Sequence, residues 1–124
     1  MNEVVFPDMV ALAERLHDAG TPLYLLSNAP DLLDRWLRGP ARQTHPFIGR
    51  FRDYVVSGLV KCSKPDAAIY QLVCHTGGFA PHEAVFIDDV PANVEGARAI
   101  GMTAVHHRST DETAAALRAL GLPA

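Results

Sequence analysis

Four short apolar runs, each closed by polar residues and separated by stretches of helical spacing, set what this chain can fold into. Leu23-Tyr-Leu-Leu26 ends at Ser27-Asn28, and Tyr54-Val-Val56 at Ser57-Gly58. Ala84-Val-Phe-Ile87 ends at Asp88-Asp89, and Thr103-Ala-Val105 at His106-His107. Continuous apolar runs of this length read as strands buried on both faces. Between them lie helical patterns. Met9, Leu12, Ala13 and Leu16 recur at helical spacing before Gly20. A second helix opens near Asn28 to Asp31, with Pro30 in its first turn, runs through Trp36 and stops by Gly39-Pro40. Pro65 to about His75, Pro91 to Ile100 and the segment capped by Ser109 and Glu112, which runs to about Leu120, complete the set. Residues 39–50, with Gly39, Pro40, Pro46 and Gly49, are the loosest stretch. Strands joined through helices imply β-α-β units and a parallel sheet covered on both faces.

Composition narrows the class. The 124 residues are 48% hydrophobic and 20% charged, which suits one globular domain, residues 1–124, with its own core. No apolar run approaches the length of a membrane-crossing helix, and the first twenty residues lack the apolar stretch of a signal peptide. Two cysteines make no disulfide framework, so a reducing cytoplasm is expected. A net charge of −3 gives no support to nucleic-acid binding.

Polar groups just after strands matter because ligands of open parallel sheets bind at the carboxyl ends of strands. Asp88-Asp89 places two carboxylates side by side, an arrangement that asks for a compensating cation and suits Mg²⁺. One aspartate before Pro91 would serve as a helix cap; a pair is harder to explain that way. Ser27-Asn28 offers a hydroxyl and the N–H groups of a turn to a phosphate oxygen, or caps the following helix. Lys64, before Pro65, can aim an ammonium at the same rim, with Lys61 a competitor of equal charge.

Order and spacing join these into one pattern. Ser27-Asn28 is followed by Val56-Ser-Gly58, Lys64-Pro-Asp66 before Ile69-Tyr70, Val85-Phe-Ile-Asp-Asp89, Asn93-Val94, Ala97-Arg98 and Gly101-Met102. From about Phe6 to Val105 the chain resembles the haloacid dehalogenase (HAD) superfamily of hydrolases, in its sugar-phosphatase and haloacid-dehalogenase-like branch. The resemblance implies a Rossmann-like three-layer α/β/α core with a mostly parallel sheet. It implies that Ser27, Asn28 and Lys64 bind phosphate, Lys64 being the catalytic lysine, and that Asp88 and Asp89 hold Mg²⁺, with Asp88 the direct ligand. Asn93 would support that acidic loop. The implied reaction is Mg²⁺-dependent hydrolysis of a phosphate monoester on a small metabolite, through an aspartyl-phosphate; some members instead remove halide from 2-haloacids.

The family's first motif, a hydrophobic strand followed by Asp-x-Asp, is absent: no Asp-x-Asp occurs in the chain. Val4-Val5-Phe6-Pro7-Asp8-Met9 is the nearest stretch, with proline at the nucleophile's place and Met9 at the second aspartate's. The chain resembles the C-terminal part of a HAD protein without first strand or cap, a fragment reading. Without that strand its neighbours, ending at Ser27 and Asp88, would stand about 10 Å apart. Residues 3–6 as a surrogate strand, a second copy or a complementing chain would fill the place. The chain alone is expected to hold Mg²⁺ weakly or not at all and to be inactive, since the covalent route is missing. The alternative is a non-catalytic module that binds phosphate or a protein partner. A response-regulator receiver, which also combines an acidic pair, a hydroxyl and a lysine, has the acidic pair first in the chain and is disfavoured by the order seen here.

Elsewhere the patterns read as ordinary structure. Arg35, Arg38, Arg42, Arg50 and Arg52 form a solvated face, His106-His107 a loop, and Cys62 an ordinary loop thiol. Cys74 is expected to be packed and Trp36 partly buried.

Overall fold

The computed structural model describes residues 7–124, with side chains from Val10 onward. The expected surrogate strand at residues 3–6 and the Asp8 side chain lie outside the described residues. Helix α1 (Pro7–Asp18) leads to strand β1 (Tyr24–Ser27). Helices α2 (Asp31–Arg38) and α3 (Ala41–Thr44) and a 3-10 turn at Pro46–Arg50 carry the chain to β2 (Asp53–Val56). The turn-length helix α4 (Ser57–Val60) and α5 (Ala67–Gly77) precede a 3-10 turn at Pro81–Glu83 and β3 (Val85–Asp88). Helix α6 (Pro91–Ala99), β4 (Thr103–His106) and α7 (Thr110–Ala119) complete the order.

All observed pairing is parallel. Tyr24 to Ser27 lie opposite Asp53 to Val56, and Val85 to Asp88 opposite Thr103 to His106. Each pair is joined through helices, as parallel strands require. Among the described residues β1 and β3 are not hydrogen-bonded to each other, so the strands form two two-stranded sheets. The expected incompleteness of the sheet falls between the strands ending at Ser27 and Asp88.

Alternation along the strands builds three layers. Tyr24, Leu26, Val55, Phe86 and Ala104 turn to one side, where Ile69, Tyr70 and Val73 of α5 and Val94 and Ala97 of α6 close over them. Leu25, Tyr54 and Val56 turn to the other side, against Leu33 and Leu37 of α2, Ala41 and Ile48. On that side Val85 and Ile87 meet Leu12 and Leu16 of α1 and Ala114 and Leu117 of α7. Both strand pairs thus share the α5–α6 layer, which keeps their carboxyl ends on one rim.

Residues 39–50 are more ordered than their glycines and prolines suggest. Ala41 and Ile48 are buried. The Tyr54 hydroxyl donates to the Ile48 carbonyl at 2.6 Å, and Arg42 Nη2 donates to the same hydroxyl at 3.2 Å. Arg38 and Arg42 both lie over the Tyr54 ring, 5.3 and 5.7 Å from its centroid. Arg38 also bonds Asp34 and Asp53. Cys74 is buried and Trp36 half-buried, as expected. No helix among the described residues is long and apolar enough to cross a membrane.

Candidate functional site

The rim gathers the residues that follow β1, β2 and β3. At the end of β3 the chain turns sharply into α6. Asp88 Oδ1 accepts the Val90 N–H at 2.9 Å, so the aspartate holds its own turn. The Asp88 carbonyl accepts the His107 N–H at 2.8 Å. His106 Nε2 donates to the Asp89 carbonyl at 3.0 Å. These bonds tie the acidic turn to the end of β4. The two histidines, read as a loop, therefore serve as its supports: His106 ends β4, and His107 Nδ1 lies 2.6 Å from Thr113 Oγ1 of α7. Nothing in a His-His pair announces that role; only the strand register places them beside Asp88 and Asp89.

Asp88 is the electrostatic centre. Its Oδ2 lies 2.6 Å from Lys64 Nζ, and both side chains are almost wholly buried, at 6% and 11% exposure. Asn93 Nδ2 donates to the same oxygen at 3.2 Å. The Tyr70 hydroxyl in turn donates to the Asn93 carbonyl at 2.7 Å. Burial pushes the Asp88 carboxyl up, but the Lys64 ammonium and the Val90 N–H outweigh it and hold the group below the usual carboxylate range. Burial, followed by the charges of Asp88 and Asp66, pushes the Tyr70 phenol up to about 12. The Asp89 side chain is exposed at the rim.

Lys64 is placed by its main chain. Asn28, the residue after β1, accepts the Lys64 N–H on Oδ1 at 2.8 Å and donates from Nδ2 to the Lys64 carbonyl at 3.0 Å. The ammonium also sits 5.7 Å from the centroid of the Phe86 ring. On the far side of the same loop, Gly96 of α6 meets Pro65: a Cβ there would lie 2.7 Å from the Pro65 carbonyl oxygen and 3.1 Å from the Tyr70 ring. The Lys64–Pro65 peptide is cis.

The turn after β1 is gripped from β2 as well. Ser57 Oγ accepts the Ala29 N–H at 2.9 Å and donates to the Ala29 carbonyl at 3.2 Å. The Gly58 N–H donates to that carbonyl at 2.8 Å. A Cβ on Gly58 would lie 2.6 Å from the Asp31 nitrogen. Ser27 is half-buried, and among the described residues its hydroxyl has no hydrogen-bond partner.

The structure thus links Asn28, Lys64 and Asp88 by direct hydrogen bonds, with Ser27 and Asp89 their chain neighbours at strand ends. Lys61, the competing cation, is exposed and ends α4 with φ +64. Ser57, Tyr70 and His106 were not legible as supports, because each acts on a main-chain atom of a distant segment. Asp88 and Asp89 fit Mg²⁺ by donor chemistry, as hard carboxylate oxygens at one strand end. Among the described residues no group of three or more His, Cys, Asp or Glu is placed to hold a metal, so the donor set is two carboxylates, one of them already neutralised by Lys64.

Comparison with known proteins agrees with this geometry. Residues 1–101 match the haloacid dehalogenase-like hydrolases. The chain is 33% identical over 103 residues to a phosphoserine phosphatase from Thermus thermophilus, covering 82% of this chain and 39% of the relative. A HAD-family enzyme from Bacteroides thetaiotaomicron in complex with magnesium and inorganic phosphate superposes with a TM-score of 0.69 at 26% identity, over 84% of this chain and 53% of that one. An uncharacterized protein from Corynebacterium glutamicum shares the fold, with a TM-score of 0.78 at 22% identity over 97% of this chain and 88% of that one. The chain spans well under two thirds of the phosphoserine phosphatase it matches.

Proposed function

Because the chain belongs to the haloacid dehalogenase-like hydrolase family, we propose that its rim is the phosphate and magnesium half of a phosphatase site acting on a small phosphorylated metabolite. The observation that carries this reading is the Lys64–Asp88 pair, held at 2.6 Å on the rim where Ser27 ends β1. In this reading the Ser27 hydroxyl and the main chain of Asn28 donate to the phosphoryl oxygens. Lys64 lies between the phosphoryl group and Asp88, sharing its ammonium protons with both. An ammonium already aimed by Asp88 loses little freedom on binding, which favours developing negative charge without reorganisation. Asp88 and Asp89 would hold Mg²⁺, with His106 and Asn93 keeping the acidic turn in place. When bound, the ion would supply charge neutralisation to the phosphoryl group. The phosphoserine phosphatase relative and the magnesium–phosphate complex of the Bacteroides enzyme support this substrate class and metal. We place the protein in the cytoplasm, where such metabolites occur.

Positioning and electrostatics leave the nucleophile unfilled. No Asp-x-Asp occurs in the sequence, and none of the rim residues above offers a carboxylate that is both free of a partner and opposite Ser27. In our reading the chain alone binds phosphate and Mg²⁺ weakly and turns over little or nothing; a second copy or a complementing chain would have to supply the missing group. The missing motif also favours the second reading, a non-catalytic module that retains phosphate or binds a protein partner. The test is hydrolysis of p-nitrophenyl phosphate with and without Mg²⁺, alongside phosphate binding by calorimetry. Phosphate binding that strengthens with Mg²⁺ and is lost in Lys64→Ala, with negligible turnover, is expected. Turnover comparable to that of an intact relative would overturn the inactivity; absent phosphate binding would leave the partner-binding module.

A further inference from the structure

We propose that Asn28 is a positioning residue, whose side-chain amide fixes the Lys64 main chain so that the lysine ammonium lies on Asp88 and the two halves of the sheet are joined at the rim. Among the described residues β1 and β3 share no strand pairing, so nothing in the backbone ladders sets the distance between their carboxyl ends there. Asn28 follows β1, Asp88 ends β3, and Lys64 stands between them in space. The amide of Asn28 uses its acceptor on the Lys64 N–H at 2.8 Å and its donor on the Lys64 carbonyl at 3.0 Å. Two bonds to one residue fix both position and rotation of that peptide segment, which a single bond would not. The next link is the 2.6 Å contact from Lys64 Nζ to Asp88 Oδ2. Gly96 backs the loop from α6 by admitting Pro65 at a distance no side chain would allow. Lys64 is thereby pinned from the β1 side by Asn28 and from the α6 side by Gly96. The same amide cannot also be a phosphate donor while it makes these bonds, so the contribution of Asn28 to an anion is through its main chain.

The consequence for phosphate rests on the function proposed above, whereas the positional role rests on the hydrogen bonds alone. The chain contains two lysines, Lys61 and Lys64. Lys61 is exposed and serves as an internal reference. Reductive methylation with isotope-labelled formaldehyde, read residue by residue by NMR, should modify Lys64 more slowly than Lys61 in the native chain. In Asn28→Ala the Lys64 rate, taken relative to Lys61, should rise about tenfold, as loss of two modest hydrogen bonds permits. Asn28→Asp keeps an acceptor for the Lys64 N–H and should fall between the two; it also serves if the alanine variant does not fold. Asp88→Asn, which removes the ion-pair partner and leaves the amide clamp, should raise the rate as well, and adding Asn28→Ala to it should add little. An unchanged Lys64-to-Lys61 ratio in a folded Asn28 variant overturns the proposal. Inorganic phosphate with Mg²⁺ should protect Lys64 further in the native chain. Failure of that protection alone counts against the phosphate reading and leaves the role of Asn28 standing.

Discussion

Lys64 and Asp88, far apart along the chain, meet as an ion pair with a 2.6 Å contact while both side chains are almost fully removed from water. A pair of this kind is costly to break from one side, because the remaining charge stays buried without compensation. Lys64→Ala is expected to lower the urea-unfolding free energy by about 3 kcal/mol. The double variant Lys64→Met, Asp88→Asn should recover most of that loss, since the amide oxygen introduced by Asp88→Asn would still accept the Val90 N–H. A single variant as stable as the native chain would mean that the pair is solvated.

Tyr70 gives the alkaline limb of stability. Its folded value of about 12 lies above the ordinary phenol value of about 10. The folded state therefore keeps its proton longer than the unfolded chain. The stability linked to it is fully present below about pH 10 and is lost as pH rises through about 12. Tyr70→Phe should lack this loss, at a cost of about 1 kcal/mol at neutral pH for the missing bond to the Asn93 carbonyl. Thermal melts from pH 8 upward check both parts.

The acid limb has a contribution from Asp53. The Arg38 guanidinium, bonded to Asp53 Oδ1 at 2.8 Å, outweighs partial burial and holds the carboxyl below its usual range. Stability from this pair is present above the unfolded carboxylate value, near pH 4, and is lost as pH falls through the lower folded value. Asp53→Asn should make the melting temperature less sensitive to pH between about 4 and 2. The effect is small, because Arg38 is half exposed.

Gly96→Ala sets two effects against each other. Alanine is favoured over glycine inside a helix by about 1 kcal/mol. At position 96 its Cβ would lie 2.7 Å from the Pro65 carbonyl oxygen and 2.8 Å from the Pro65 Cβ, closer than such atoms approach. The clash should win, with a net loss of about 1–3 kcal/mol, the usual cost of overpacking. A stabilised variant, measured by urea unfolding, would show that the Lys64–Pro65 loop shifts freely.

The layers and the rim were legible because each strand is apolar until its last residue and polar immediately after. Ser27, Lys64, Asp88 and Asp89 stood out for that reason. The means by which they are held did not. Asn28 reads as a turn or phosphate residue, and nothing in its neighbourhood signals that its amide is spent on a lysine backbone. Ser57, Tyr70 and His106 likewise act on carbonyls or N–H groups, which carry no side-chain identity. The helix after Lys64 begins at Ala67 rather than at Pro65, since Pro65 belongs to the loop that Gly96 backs. Residues 39–50 were read as loose from their prolines and glycines, yet the bond from Tyr54 to the Ile48 carbonyl gathers them onto the sheet. The arginines read as a solvated face divide: Arg38 and Arg42 stack on Tyr54, while Arg35, Arg50 and Arg52 are exposed.

Gly58 carries the turn after β1 on a backbone approach that leaves no room for a single carbon: its Cβ would sit 2.6 Å from the Asp31 nitrogen and 2.8 Å from the Ala29 oxygen. Every other amino acid brings at least that carbon. In a saturation library, position 58 would be a point of zero tolerance, even though it lies on the surface side of the rim where substitution is ordinarily cheapest.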